Sequence, residues 1–394
     1  MKANLKKHAA LLAGAVLLAN TQLAQADDQQ TIIELQKRIE QLEQSMNERL
    51  NAMADSMDSV AAQQSSGTNK NVHIGGYGEM HYNHLDVDGT DTRQIDLHRM
   101  VLFFGYDFSD RARFVSEFEV EHTLVSDGAR GAVEIEQAYV ELDLMSNMQF
   151  RSGVMLMPVG MINETHEPPT FYGVERPVIE TTIIPTTWYS AGISLTHQLD
   201  NGISYDLMIS EGLKTDDPTY DSSADPFDLK SGKQKGSFAD AFDLAVTGRV
   251  VYRGTAGLEL AAYAQYQPDL DQSAEISYAD DATLVGAHMI YQLGDITTKA
   301  LYARWDLGGN AADAAGKALQ DGGYVEVNYR LNEQWGFFAR QSAWSQKDDM
   351  NASQSDAGVN YYPVEGIVFK ADIQQQNQDA GNADGFNLGM GYMF

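Results

Sequence analysis

Charged side chains recurring at every second position are the residues of this chain most able to do chemistry. Glu117, Glu119 and Glu121 lie two apart, a spacing that puts all three on one face of a strand. Arg99, Arg113, Arg151, Arg304 and Arg340 sit in other alternating stretches, and the alternation assigns them to the same polar face. A second group, Glu164, His166, Glu167, Glu175, Arg176 and Glu180, falls within one long connection, with Arg176 the one guanidinium opposing its acids. Carboxylates held against arginines across an opening make a transverse field that sorts ions. Catalysis is poorly served. Glu79 and His81 share a face, but no spacing joins a nucleophile, a base and an orienting group. Glu119 and Glu121 are a glycosidase pair only in the loosest sense, and a run of solvated charges is the plainer account. His122 falls on the apolar face of its stretch. The GGYG run at 75–78 opens no helix and is no phosphate loop. With no cysteine there is neither a disulfide nor a thiolate metal site, and no cofactor or metal is expected.

The elements that must hold these residues follow from composition and period. The chain has 394 residues and a formal charge of −29, the wrong sign for a nucleic-acid partner. Past the N-terminus no apolar run approaches the ~20 residues of a spanning helix. Lys2, Lys6 and Lys7, the apolar Ala9–Ala19 and Ala24-Gln25-Ala26 predict a secretory signal peptide over 1–26. Ile32, Leu35, Ile39, Leu42, Met46, Leu50, Met53, Met57 and Val60 keep a heptad-like spacing with one stutter, which predicts a self-associating α-helical coiled coil over 27–66. Residues 67–71 complete a polar linker.

From Val72 the period changes to two. In 113–122, Phe114, Phe118 and Val120 oppose Arg113, Glu117, Glu119 and Glu121. Sixteen such segments fit between 72 and 394, joined alternately by tight turns and longer loops, up to Val159–Thr187 and Leu213–Asp240. A soluble sandwich alternates too, but short turns at one end and long loops at the other predict an all-β transmembrane antiparallel barrel with a wide polar lumen. Both chain ends then lie on the periplasmic side, and so does the coiled coil. Tyr and Trp near the segment ends fit the two interface depths of a bilayer.

A resemblance sharpens this. IGGYGEMHYN at 74–83, LHRMVLFFGYDFSDRARFVSEFEVEH at 97–122, IEQAYVELDL at 135–144, RSGVMLMPVGMINETHEPPTFYGVERP at 151–177 and the terminal Phe394 resemble the phosphate-selective porin O and P family of Gram-negative outer membranes. The resemblance implies sixteen strands, a homotrimer and an inward-folded third loop, here 159–187. A ~29-residue connection without structure of its own is unusual unless functional. The family's phosphate preference rests on a cationic lumen. Here the lumen-facing set mixes both signs, and residues 71–394 carry 20 Lys and Arg against 48 Asp and Glu. The expectation is passive diffusion of small hydrophilic solutes and ions with weak cation preference. Alternatives are a phosphate- or sugar-selective channel, or an envelope tether with the barrel as anchor. Expected partners are lipopolysaccharide and outer-membrane lipid, with the cell wall as a contact for the coiled coil.

Overall fold

The computed structural model describes residues 71–125, 130–185, 187–215, 225–272, 278–348, 350–379 and 381–394. The signal peptide, the coiled coil and the linker up to residue 70 lie outside the described residues.

Sixteen antiparallel strands close into one barrel: β1 Val72–Val87, β2 Thr90–Ser109, β3 Ala112–Glu121, β4 Val133–Met145, β5 Met148–Leu156, β6 Tyr189–Gln198, β7 Ile203–Ser210, β8 Ala245–Thr255, β9 Leu258–Gln267, β10 Ala282–Leu293, β11 Ile296–Leu307, β12 Leu319–Arg330, β13 Trp335–Ser345, β14 Ala352–Tyr361, β15 Ile367–Asn377 and β16 Ala383–Met393. Each strand pairs with its sequence neighbours, and β1 meets β16 in the register Tyr77↔Met393 through Val87↔Ala383. Closure leaves no unpaired edge, which a hydrocarbon surrounding requires. Burial is inverted relative to a soluble protein. Met100, Leu102, Phe104 and Phe118 are exposed on the outer wall, while Glu79, Arg99, Glu117 and Glu119 are buried within.

Local features near the site depart from simple alternation. Asp88 and Gly89 both have positive φ and join β1 to β2 in a two-residue turn at the end of a long hairpin. A bulge in β2 sets Glu79 opposite Arg99 but Met80 opposite Leu97, so that His98 is the extra residue. A second bulge, in β4, makes Glu136 the extra residue between Gln137 and Ile135. A bulge turns consecutive side chains to one face. His98 and Arg99, and likewise Glu136 and Gln137, therefore all serve the lumen.

The lumen is only partly polar. A dry cluster including Met157, Ile183, Trp188, Leu284, Trp305 and Trp344 fills one side of it. The connection at 213–240 contributes Leu213, Phe227 and Leu229 to that cluster. Its apolar residues anchor it inward, and Gln320 donates to the Phe227 carbonyl at 2.9 Å.

Candidate pore constriction

The connection between β5 and β6 is the centre of the site. It contains a 3-10 turn at Pro168–Thr170 and a short helix, α1, at Ile179–Thr182. Pro168, Pro169, Pro177 and Pro185 restrict its backbone. Its second half is apolar. Ile179, Ile183 and Ile184 are buried in the dry cluster, and Trp305 Nε1 donates to the Ile183 carbonyl at 2.9 Å. This packing decides the orientation of β11: Leu301, Ala303 and Trp305 turn inward. Arg304 therefore points outward, paired with Asp306 at 2.5 Å, and is not a residue of the pore wall. Alternation alone favours the charged face for the lumen; the apolar loop reverses that choice.

The first half of the connection crosses to the polar walls. Lys370 donates to the Phe171 and Gly173 carbonyls at 2.8 Å each, and Asp372 accepts from the Val174 amide at 2.6 Å. Lys299 donates to the Thr170 carbonyl at 3.3 Å. Strand β16 makes room for this crossing with Gly389 and Gly391. A Cβ at Gly391 would lie 2.2 Å from Pro168 Cβ, and one at Gly389 3.0 Å from Val174 Cγ1.

The acids expected in the constriction separate into distinct environments. Glu164 pairs with Arg249 of β8. Glu175 lies 3.0 Å from His81 Nδ1 and accepts from Asn83 at 2.9 Å. Burial opposes its ionisation, but the His81 contact overrides this and holds its pKa down to about 2. His166 stacks edge-on to Tyr77 and lies 3.5 Å from Glu117 and 3.4 Å from Glu136. Burial disfavours the charged ring, yet those carboxylates push its pKa up to about 10. Burial raises the Glu167 carboxyl. Arg176 is buried and reaches Thr187 Oγ1 at 2.7 Å; among the described residues it forms no ion pair, and burial lowers its pKa. Glu180 is a staple within the structure. It accepts from Tyr324 at 2.6 Å and from the Met161 and Ile162 amides at 2.8 Å each.

Arg249 bridges Glu164 of the connection and Asp206 of β7, whereas the other wall arginines bond to wall acids. Arg99 lies between Glu79 at 2.8 Å and Glu119 at 3.2 Å. Arg113 holds Glu141 and Asp143 at 2.6 Å each, and Arg151 holds Glu141 at 2.5 Å. Arg340 is buried between Glu326 at 3.2 Å and Asp356 at 3.0 Å. Glu121 stands opposite Arg99 across β2 and β3. The polar walls carry paired charges of both signs, and Glu164 with Arg249 is the ion pair between a carboxylate of the connection and a wall arginine among the described residues. Sequence reasoning missed Glu136, because a bulge shifts its parity, and Lys299, because β11 was turned about. It also placed His122 on the lipid face. At φ 58° His122 leaves the strand geometry and reaches the lumen-facing Asp96 at 2.8 Å.

Comparisons with known proteins agree with this geometry. An uncharacterised protein of Aquifex aeolicus is 42% identical over 195 residues, 49% of this chain and 43% of that protein, so the chain matches less than half the length of this relative. An anion-selective porin from Comamonas acidovorans superposes with a TM-score of 0.60 at 12% identity, covering 82% of this chain and 99% of that one. The outer-membrane channel DcaP of Acinetobacter baumannii gives 0.56 at 13% identity, covering 84% and 99%. OmpT of Vibrio cholerae in its trimer form gives 0.53 at 11% identity, covering 82% and 99%. At these identities the structural likeness speaks to the fold alone. The model of the phosphate-selective porin O and P family matches residues 72–392, nearly the whole barrel, and the chain therefore belongs to that family of outer-membrane porins.

Proposed function

We propose that the chain is a passive channel for small hydrophilic solutes and ions, narrowed by residues 159–187 and weakly selective for cations. The observation that carries this reading is the charge-balanced wall. Arg99, Arg113, Arg151 and Arg340 are each held by carboxylates, so their fields are largely cancelled at short range. The net acidity of 20 Lys and Arg against 48 Asp and Glu over 71–394 then sets the sign of the vestibule potential. Glu164, His166, Glu167, Glu175, Arg176 and Glu180 form or brace the narrowest part. The homotrimer is supported by the trimeric OmpT among the structures of like fold. The periplasmic coiled coil over 27–66, the cell wall as its contact and lipopolysaccharide around the rim belong to the same proposal.

Planar-bilayer recording of the purified protein in a KCl gradient tests it. Ohmic triple steps with a reversal potential of cationic sign are expected. A clearly anionic sign would refute the selectivity. Saturable block by phosphate would favour a second reading, an anion channel, for which Arg176 is the observation: a buried guanidinium with no ion pair among the described residues. Deletion of 27–66 should leave conductance intact; loss of envelope attachment with conductance retained would favour the tether.

A further inference from the structure

Asp96, His98 and His122 converge on the lumen wall toward the long-loop end of the barrel. One ligand atom from each lies within 4.8 Å of the others. Asp96 holds the centre, with one oxygen 3.3 Å from His98 Nδ1 and 2.8 Å from His122 Nδ1. All three side chains are about one third exposed, so water and ions reach them.

Two irregularities build this cluster. Asp96 and His98 share a face by alternation, and the β2 bulge, with His98 as its extra residue, turns that face to the same lumen side as Arg99. The left-handed backbone at His122, unusual for a residue with a side chain, swings that ring out of the β3 alternation. Without the bulge Asp96 and His98 would turn away from Arg99's face, and without the left-handed residue His122 would follow the outward face of β3. Local strain that assembles a constellation of ligand-type side chains is a pointer to function. The neighbouring His81 is not a ligand. It stacks on His98 at 4.9 Å, with its two nitrogens already held by Glu79 and Glu175, and thus fixes one wall of the site.

We propose that Asp96, His98 and His122 bind a divalent transition-metal ion of the zinc type, and that its occupancy lowers the cation preference of the pore. Two imidazoles and one carboxylate are a donor set that zinc accepts with a position left open to water. Calcium and magnesium want oxygen donors and find a single carboxylate here. Metal–ligand bonds of about 2 Å place tetrahedral ligands roughly 3.3 Å apart, so the cluster closes by small rotamer shifts. The bound ion adds two positive charges next to Arg99, on the wall that cations pass.

Zn²⁺ is the probe, with Mg²⁺ as control, on the full mature protein in detergent and in bilayers. Micromolar Zn²⁺ should shift the reversal potential in a KCl gradient toward the anionic side, and EDTA should restore it. In His98→Ala and His122→Gln, at least tenfold more Zn²⁺ should be needed. His197→Ala, a β6 histidine held by Tyr205 of β7, should respond as wild type. Co²⁺ added to wild-type protein should give the visible absorption of an imidazole-ligated ion, displaced by Zn²⁺. This readout needs neither conductance nor a variant, so it separates failure of the metal site from failure of the channel reading. Absence of the Co²⁺ band, or Zn²⁺ responses equal in wild type and both variants, would overturn the proposal.

Discussion

The wall's ion pairs are worth most where both partners are out of water. Arg340 illustrates this, since its side chain and those of Glu326 and Asp356 are all nearly inaccessible. Removing the cation strands two buried carboxylates, a change that typically costs about 3–5 kcal/mol. Arg340→Met should therefore lower the thermal midpoint followed by circular dichroism in detergent, and an unchanged midpoint would refute the pairing. Titration adds a second test. The His166 ring has its pKa raised from an ordinary 6.5 to about 10, so its contribution to docking is complete below about 6.5 and is lost as pH rises through about 10. Glu175 runs the other way: lowered from 4.5 to about 2, it contributes above 4.5 and loses that contribution as pH falls through about 2. The connection is held best between these limits. Open-channel noise should grow as pH is raised from 7 toward 10, and His166→Gln should be noisy already at pH 7 with a flattened alkaline response.

At the scale of elements, the connection between β5 and β6 is positioned by two unlike surfaces. Its apolar half is embedded in the dry cluster, and its polar half is tied to β15 and fitted against glycines of β16. The fit has no slack at Gly391. Gly391→Ala places its Cβ 2.2 Å from Pro168 Cβ and must displace the 3-10 turn, since a proline ring has little freedom to yield. Single-channel conductance should change, with flicker absent from wild type. Gly248→Ala, whose Cβ would meet no heavy atom nearer than 4.0 Å, is the matched control and should conduct normally. Wild-type currents from Gly391→Ala would mean that the turn does not bear on β16.

For the whole molecule, the acidic excess acts at a distance and the paired wall acts at contact. Salt separates the two. The screening length is about 10 Å at 0.1 M and 3 Å at 1 M. Cation preference measured by reversal potential should therefore be largest in dilute KCl and shrink toward neutrality at 1 M. A preference independent of salt would place its origin in close contacts at the constriction instead of the vestibule field.

The sequence by itself determined the class of fold. A period of two with apolar and charged faces, tight turns alternating with long loops, and residues resembling a porin family suffice for a sixteen-stranded barrel, because each strand needs only its neighbours' pattern to pair. Glu117, Glu119 and Arg340 were legible in the same way, as charged residues on an unbroken alternating face. Tertiary structure alone decided which face of β11 turns inward, and so removed Arg304 from the wall. That choice depends on an apolar loop more than 100 residues distant in sequence, which no local period encodes. Bulges at His98 and Glu136 and the left-handed turn at His122 likewise move single residues across the wall, since one inserted residue inverts a two-residue period. The partners of His166, Glu175 and Arg176 were not readable for the same reason: they belong to strands that become neighbours of the connection only once the barrel has closed around it.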